Sequence, residues 1–183
     1  MTEMTRTERS DLAGLTRKRA TVAKNQARQR AAELTAETEE QLSRVFAAED
    51  ERWQSAIAKA KIALDSANNK IREALGAEGV PDNLMPSLTL GWRGRGESLD
   101  PQRRGELRTL ARARIDAHLK TALATIEKSS VDVQTQLLAA GLTTGAAQAF
   151  LTAMPTPEEL LPAVSVDELA VERDREANLR SIQ

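Results

Sequence analysis

Arginine and glycine are the residues of this chain best suited to chemistry. They concentrate in Gly91-Trp92-Arg93-Gly94-Arg95-Gly96-Glu97, which is followed closely by Arg103, Arg104, Arg108, Arg112 and Arg114. Glycines let backbone N–H groups approach an anion, arginine supplies forked donors for phosphate, and an indole such as that of Trp92 can stack on a base. Trp92, Arg93, Arg95, Arg103 and Arg104 therefore form a candidate anion or nucleic-acid contact. The spacing is not that of a P-loop, because no Gly-Lys-Ser/Thr follows, and no preceding strand supports a dinucleotide fingerprint. A purely structural reading competes with it, in which Trp92 packs on helices, the glycines shape a turn and the arginines pair with carboxylates such as Glu97 and Glu106.

A second cationic candidate is Arg17-Lys18-Arg19, with Lys24, Arg28 and Arg30 on the same stretch. On a nucleic-acid backbone such a group gives binding that falls steeply with salt. The alternative is a solvated face, or a contact with an acidic zone of a neighbouring copy. No second short helix follows in a way that makes a helix-turn-helix.

Catalytic and metal chemistry have little to work with. His118 is the single histidine and cysteine is absent, which removes histidine pairs for zinc, thiolate sites and a Cys-His pair. The carboxylates Glu37, Glu39, Glu40, Glu49, Asp50 and Glu51 lack a Glu-x-x-His companion and read as a solvated acidic face rather than a di-iron site. The sequence is read as a non-enzyme without a cofactor.

Charge is segregated along the chain. From Met1 to Ala32 eight basic residues face three acidic ones, and from Glu33 to Ala58 seven acidic face two basic. Gly91 to Lys120 is basic again, and the tail beyond Pro155 is acidic. Alternating zones of opposite sign imply contacts between segments, between copies, or with an anionic partner.

The elements that must position these groups are helices. Aromatic residues are 2% and tyrosine is absent, so little bulk exists for a thick interior and helix-on-helix packing is favoured over sheets. Leu15 to Leu75 contains neither proline nor glycine; as one helix it would extend about 90 Å. Its second half carries a seven-residue repeat, Ile57, Leu64 and Ile71 with Ala60, Ala67 and Ala74 three residues after each, which is a coiled-coil seam. Phe46 and Trp53 read as core filling, with a docking anchor as the alternative.

Residues 1–14 read as a polar basic arm, with Ser10 or Asp11 as a cap and a break near Gly14. Gly76, Gly79 and Pro81 end the long helix, and residues 76–99 form an irregular, extended strap in which Leu88, Leu90 and Trp92 alternate with small residues. Asp100-Pro101 starts the next helix, which Gly141 stops after Ala140. Beyond it come a short helix holding Ala147, Phe150 and Leu151, a capping box at Thr156–Glu159 halted by Pro162, and another at Ser165–Glu168. The final helix is charged from Glu172 to Asn178 and is expected to fray, or to be ordered only against a partner.

The predicted fold is thus all-α: an elongated, coiled-coil-like antiparallel helical hairpin over 15–140, with its strap at 76–99, followed by short helices and an acidic tail over 141–183. The hairpin should pair Ile71 with the neighbourhood of Leu107, and Phe46 with that of Val133. That register leaves Leu15 to Leu42 uncovered, so Leu15, Val22, Leu34, Leu42 and Phe46 are candidate interface residues of a homo-oligomer. The functional expectation is a self-associating structural or interaction protein in a larger assembly. Arginine well in excess of lysine and heavy alanine use fit a bacterial or phage component, cytoplasmic or carried in a virion. The alternative is a nucleic-acid-binding protein that uses the basic arm and the arginine loop. The polar N-terminus lacks the apolar stretch of a secretory signal, and no run is apolar enough to span a membrane.

Overall fold

A computed structural model describes residues 4–89, 100–141, 147 and 156–181. The protein is all-α, with no strand among the described residues. Helix α1 runs from Arg6 to Ala77, α2 from Pro101 to Ala140, α3 from Pro157 to Leu160 and α4 from Val166 to Ser181, with a 3₁₀ turn at Asp82–Leu84. Contacts divide the chain into two units, one of residues 1–42 and 105–183, the other of residues 43–104.

In the first unit, α1 begins earlier than the sequence suggested. Residues 6–14, read as part of an arm, are its opening turns, and the cap is Thr5 rather than Ser10 or Asp11. The Thr5 N–H donates to Glu8 Oε2 at 2.8 Å and the Glu8 N–H donates to Thr5 Oγ1 at 3.3 Å, a reciprocal capping box. The expected break at Gly14 does not occur. A mid-helix glycine costs about 1 kcal/mol, which is offset here by burial on either side: Leu12 and Thr16 are fully enclosed. The Thr16 hydroxyl is satisfied by donating to the Leu12 and Ala13 carbonyls.

The buried face of α1 is Leu12, Thr16, Ala20, Ala23, Ala27, Ala31, Leu34, Thr38 and Leu42, recurring by threes and fours. Against it α2 turns Leu107, Ala111, Ile115, Ala122, Ile126 and Leu137. Rows of alanine let the α2 backbone approach closely, so its larger side chains fill the space that alanine leaves. Lys24 pairs with Glu127, while Glu39 pairs with Arg108 and Arg112, so the two helices run antiparallel. At one end Leu12, Leu137 and Ala147 form a buried cluster edged by Met4 and Val133.

These contacts correct the predicted register. Val133 packs near Leu12 rather than near Phe46, and Leu107 is buried in the unit that holds residues 1–42 rather than beside Ile71. The Leu15 to Leu42 half, expected to be uncovered, is where α2 lies. Alanine contributes little to an apolar stripe read by eye, yet it permits the closest helix approach, and that approach decided the pairing.

The C-terminal part behaves as its caps imply. Gly141, at φ +63°, ends α2 with its N–H on the Leu138 carbonyl. The Thr156–Glu159 box forms, with the Thr156 N–H donating to Glu159 Oε2 at 2.9 Å, and α3 stops before Pro162. The Ser165 hydroxyl caps α4 through the Glu168 N–H. The fraying expected in α4 is absent. Leu169 is fully buried, Arg173 Nε donates to Glu106 Oε2 at 2.8 Å, and Arg114 pairs with Glu168 and Glu172. The charged stretch is ordered against α2 of its own chain. Ala147 is helical and buried; Phe150 and Leu151 lie outside the described residues.

The second unit holds the rest of α1, the strap and the first turn of α2. Helix α1 ends in a Schellman turn: the Val80 N–H donates to the Leu75 carbonyl and the Gly79 N–H to that of Gly76, both at 3.0 Å, with Gly79 at φ +79°. That left-handed residue is why glycine is needed there. The strap is extended at Pro81 and Met85 and returns along the helix. The Asn68 side-chain amide donates to the Leu88 carbonyl at 3.0 Å and accepts from the Leu88 N–H at 2.7 Å. Met85 Cε lies 3.7 Å from where a Cβ on Gly76 would sit. The Leu88 side chain itself is 49% exposed, and Leu90 and Trp92 lie outside the described residues. The Asp100 carboxylate caps α2 by accepting the Arg103 N–H at 2.9 Å.

Candidate functional site

The glycine-arginine loop, with Trp92, Arg93 and Arg95, lies outside the described residues. Arg103 and Arg104, which follow it, are placed by the first turn of α2 and face the acidic stretch of α1 within the second unit. Arg104 is buried and its guanidinium forks onto Asp50, Nη1 to Oδ2 at 2.8 Å and Nη2 to Oδ1 at 2.7 Å. Nη2 also donates to the Phe46 carbonyl at 3.1 Å, and the guanidinium carbon sits 4.8 Å from the centre of the Phe46 ring. The Asp50 hydrogen bonds hold the Arg104 pKa above its usual value against the opposing effect of burial, with Glu49 adding to the upward shift. Its Nε is buried without a hydrogen-bond partner. Arg103 reaches Glu49 at 3.1 Å. These two arginines are thus engaged by carboxylates, the pairing that the sequence offered as the alternative to anion binding.

Beside them is an open groove of about 450 Å³, lined by Glu49, Arg52, Trp53, Ala56, Asp100 and Arg103. Two carboxylates and two guanidinium groups line it beside Trp53 and Ala56. Trp53 is 37% exposed at its edge.

The N-terminal basic zone differs from the arginine zone of α2. Arg17, Lys18 and Arg19 are exposed on α1 and form no ion pair among the described residues. Their neighbours are engaged: Lys24 with Glu127, Arg28 with Asn25, Arg30 with Glu33 and Glu37. Of the candidate interface residues, Leu34, Leu42 and Phe46 are buried within the chain, Leu15 is half-buried, and Val22 is exposed. His118 is half-buried on α2, and no group of residues suited to holding a metal ion occurs among those described. No described helix is both long and apolar enough to cross a membrane.

The seven-residue seam lies in the second unit. Among the described residues of the second unit only Phe46 and Arg104 are buried. Ile57, Leu64, Ala67 and Ile71 are half-buried, and Ala60 and Ala74 are exposed. Among the described residues the strap meets α1 at Asn68, next to the seam, and at Gly76. The sequence contained this signal, since the repeat was visible. What it did not reveal was which half of α1 the chain would cover by itself. No protein-family model, no curated protein and no solved structure matches this chain.

Proposed function

We propose that this protein is a non-enzymatic structural or interaction protein that self-associates through the half of α1 beyond Phe46. One observation carries this reading: a seven-residue apolar repeat persists to the end of α1 while none of its residues is fully buried and Ala60 and Ala74 are exposed. A sustained repeat of that period is the pattern of a helix meeting another helix along its length. The Leu15 to Leu42 face, the first candidate for an interface, is occupied by α2, so the basis for association passes to the seam. A component of a bacterial or phage assembly, in a cytoplasm or a virion, is the setting that the composition fits.

The test is size-exclusion chromatography with light scattering, at low and high salt, on protein purified without nuclease and monitored at 260 and 280 nm. A nucleic-acid-free oligomer that survives salt is the expected result; a monomer across the accessible concentration range would remove the reading.

A second reading, nucleic-acid binding, is favoured by Arg17, Lys18 and Arg19, which are exposed and form no ion pair among the described residues. Reversing all three to Glu should abolish any binding that depends on counterion release. If wild-type protein shows no salt-releasable nucleic acid, this second reading falls.

A further inference from the structure

The seam also specifies the orientation of its partner, an inference that rests on the self-association just proposed. We propose that a second copy of this chain docks antiparallel on the seam, with Ile57 facing Ala74 of the second copy, Leu64 facing its Ala67, and Ile71 facing its Ala60. In that alignment every layer holds one large and one small side chain, so the helices approach closely at constant separation. A parallel dimer would instead stack Ile57 on Ile57 and Leu64 on Leu64, with alanine-only layers between them. Alternating crowded and empty layers cost packing at each step.

Charge permits the antiparallel alignment. Lys61 and Lys70 flank the seam, and the alignment sets Lys61 across from Asn68 and Lys70 across from Ala63, so no like charges meet. Among the described residues the strap touches α1 at Asn68 and Gly76, and Ala60 and Ala74 are exposed.

Because the chain contains no cysteine, single engineered thiols report the orientation cleanly. Ala67→Cys lies near the crossing point of an antiparallel pair and should link to itself through a short bismaleimide. Ala60→Cys alone should not, because the two copies of that residue would sit about 16 Å apart along the axis; nor should Ala74→Cys alone. A mixture of the Ala60→Cys and Ala74→Cys proteins should give the linked heterodimer. Efficient self-linking of Ala60→Cys and Ala74→Cys separately, with none in the mixture, would mean a parallel pair and overturn the inference while leaving self-association intact. Leu64→Glu, at a partly buried position and checked for native helicity by circular dichroism, should raise the dimer dissociation constant at least about 30-fold. A dimer untouched by that change would place the interface elsewhere and likewise overturn the inference alone. A wild-type monomer in light scattering would remove both.

Discussion

Arg104 and Asp50 meet as a fork on a fork, two N–H groups on two carboxylate oxygens at 2.8 and 2.7 Å. The Arg104 side chain is 7% exposed and that of Asp50 33%, so one partner is shut away from water and the other is not. Removing Asp50 would leave a buried guanidinium with only the Phe46 carbonyl and the more distant Glu49 to answer it.

Asp50→Ala should therefore cost about 2–3 kcal/mol. That is less than the ~3–5 kcal/mol for breaking a fully buried pair, because Asp50 keeps part of its hydration. Hydrogen exchange of the amides around Phe46 should accelerate by roughly 30- to 150-fold. Exchange unchanged there would mean that the fork does not hold the two helices together.

The N-terminal capping box should make the first turn of α1 sensitive to acid. The Thr5 N–H, and then the Thr5 hydroxyl, hold the Glu8 carboxyl below its ordinary pKa. A depressed carboxylate stabilises the fold at pH values above its unfolded pKa, and that contribution is lost as pH falls through the lower folded value. Amides of Thr5, Glu8 and Arg9 should thus lose protection as the solution is acidified below about pH 4.3. Glu8→Gln should remove the dependence; identical acid profiles for the two proteins would refute the linkage.

Alanine on the buried face of α1 should tolerate no enlargement. Ala27 is fully enclosed, and Ala27→Leu should destabilise by about 1–3 kcal/mol through overpacking. Ala36→Leu, at an exposed site on the same helix, should stay within about 0.5 kcal/mol of wild type. Urea denaturation followed by circular dichroism measures both, and equal effects would contradict the close approach of α2.

Helix α4 should be held more by Leu169 than by its ion pairs. Leu169→Ala should cost about 2–5 kcal/mol of docking and expose α4 to limited proteolysis. Arg173→Ala, which removes a part-buried pair with Glu106 that still meets water, should leave α4 protected. Cleavage of the Arg173 variant as fast as the Leu169 variant would reverse that ranking.

What was legible in the sequence was local. Asp100-Pro101, Gly141, the Thr156–Glu159 box and Ser165 each act through hydrogen bonds to residues within four positions, so residue type and spacing suffice to place them. Thr5-x-x-Glu8 has the same signature, but it stands before a polar stretch that hides the start of the helix. The register of α1 against α2 was not legible, because it depends on which face allows the closest approach. The louder repeat at Ile57, Leu64 and Ile71 drew the pairing away from the alanine face at Ala20 to Ala31. The two candidate cationic sites divide likewise: Arg103 and Arg104 meet carboxylates distant in sequence, whereas Arg17, Lys18 and Arg19 meet none among the described residues.

The bond between Asn68 and Leu88 bears on how this sequence can drift. A carboxamide side chain that donates to and accepts from one peptide group recognises backbone alone, and the Leu88 side chain takes no part in it. Position 88 can therefore accept almost any residue except proline, whose missing N–H would break half of the clasp. Position 68 has no such freedom, since aspartate lacks the donor and leucine lacks both groups. In a saturation library scored for strap attachment, one of these neighbours should be nearly indifferent to mutation and the other nearly invariant.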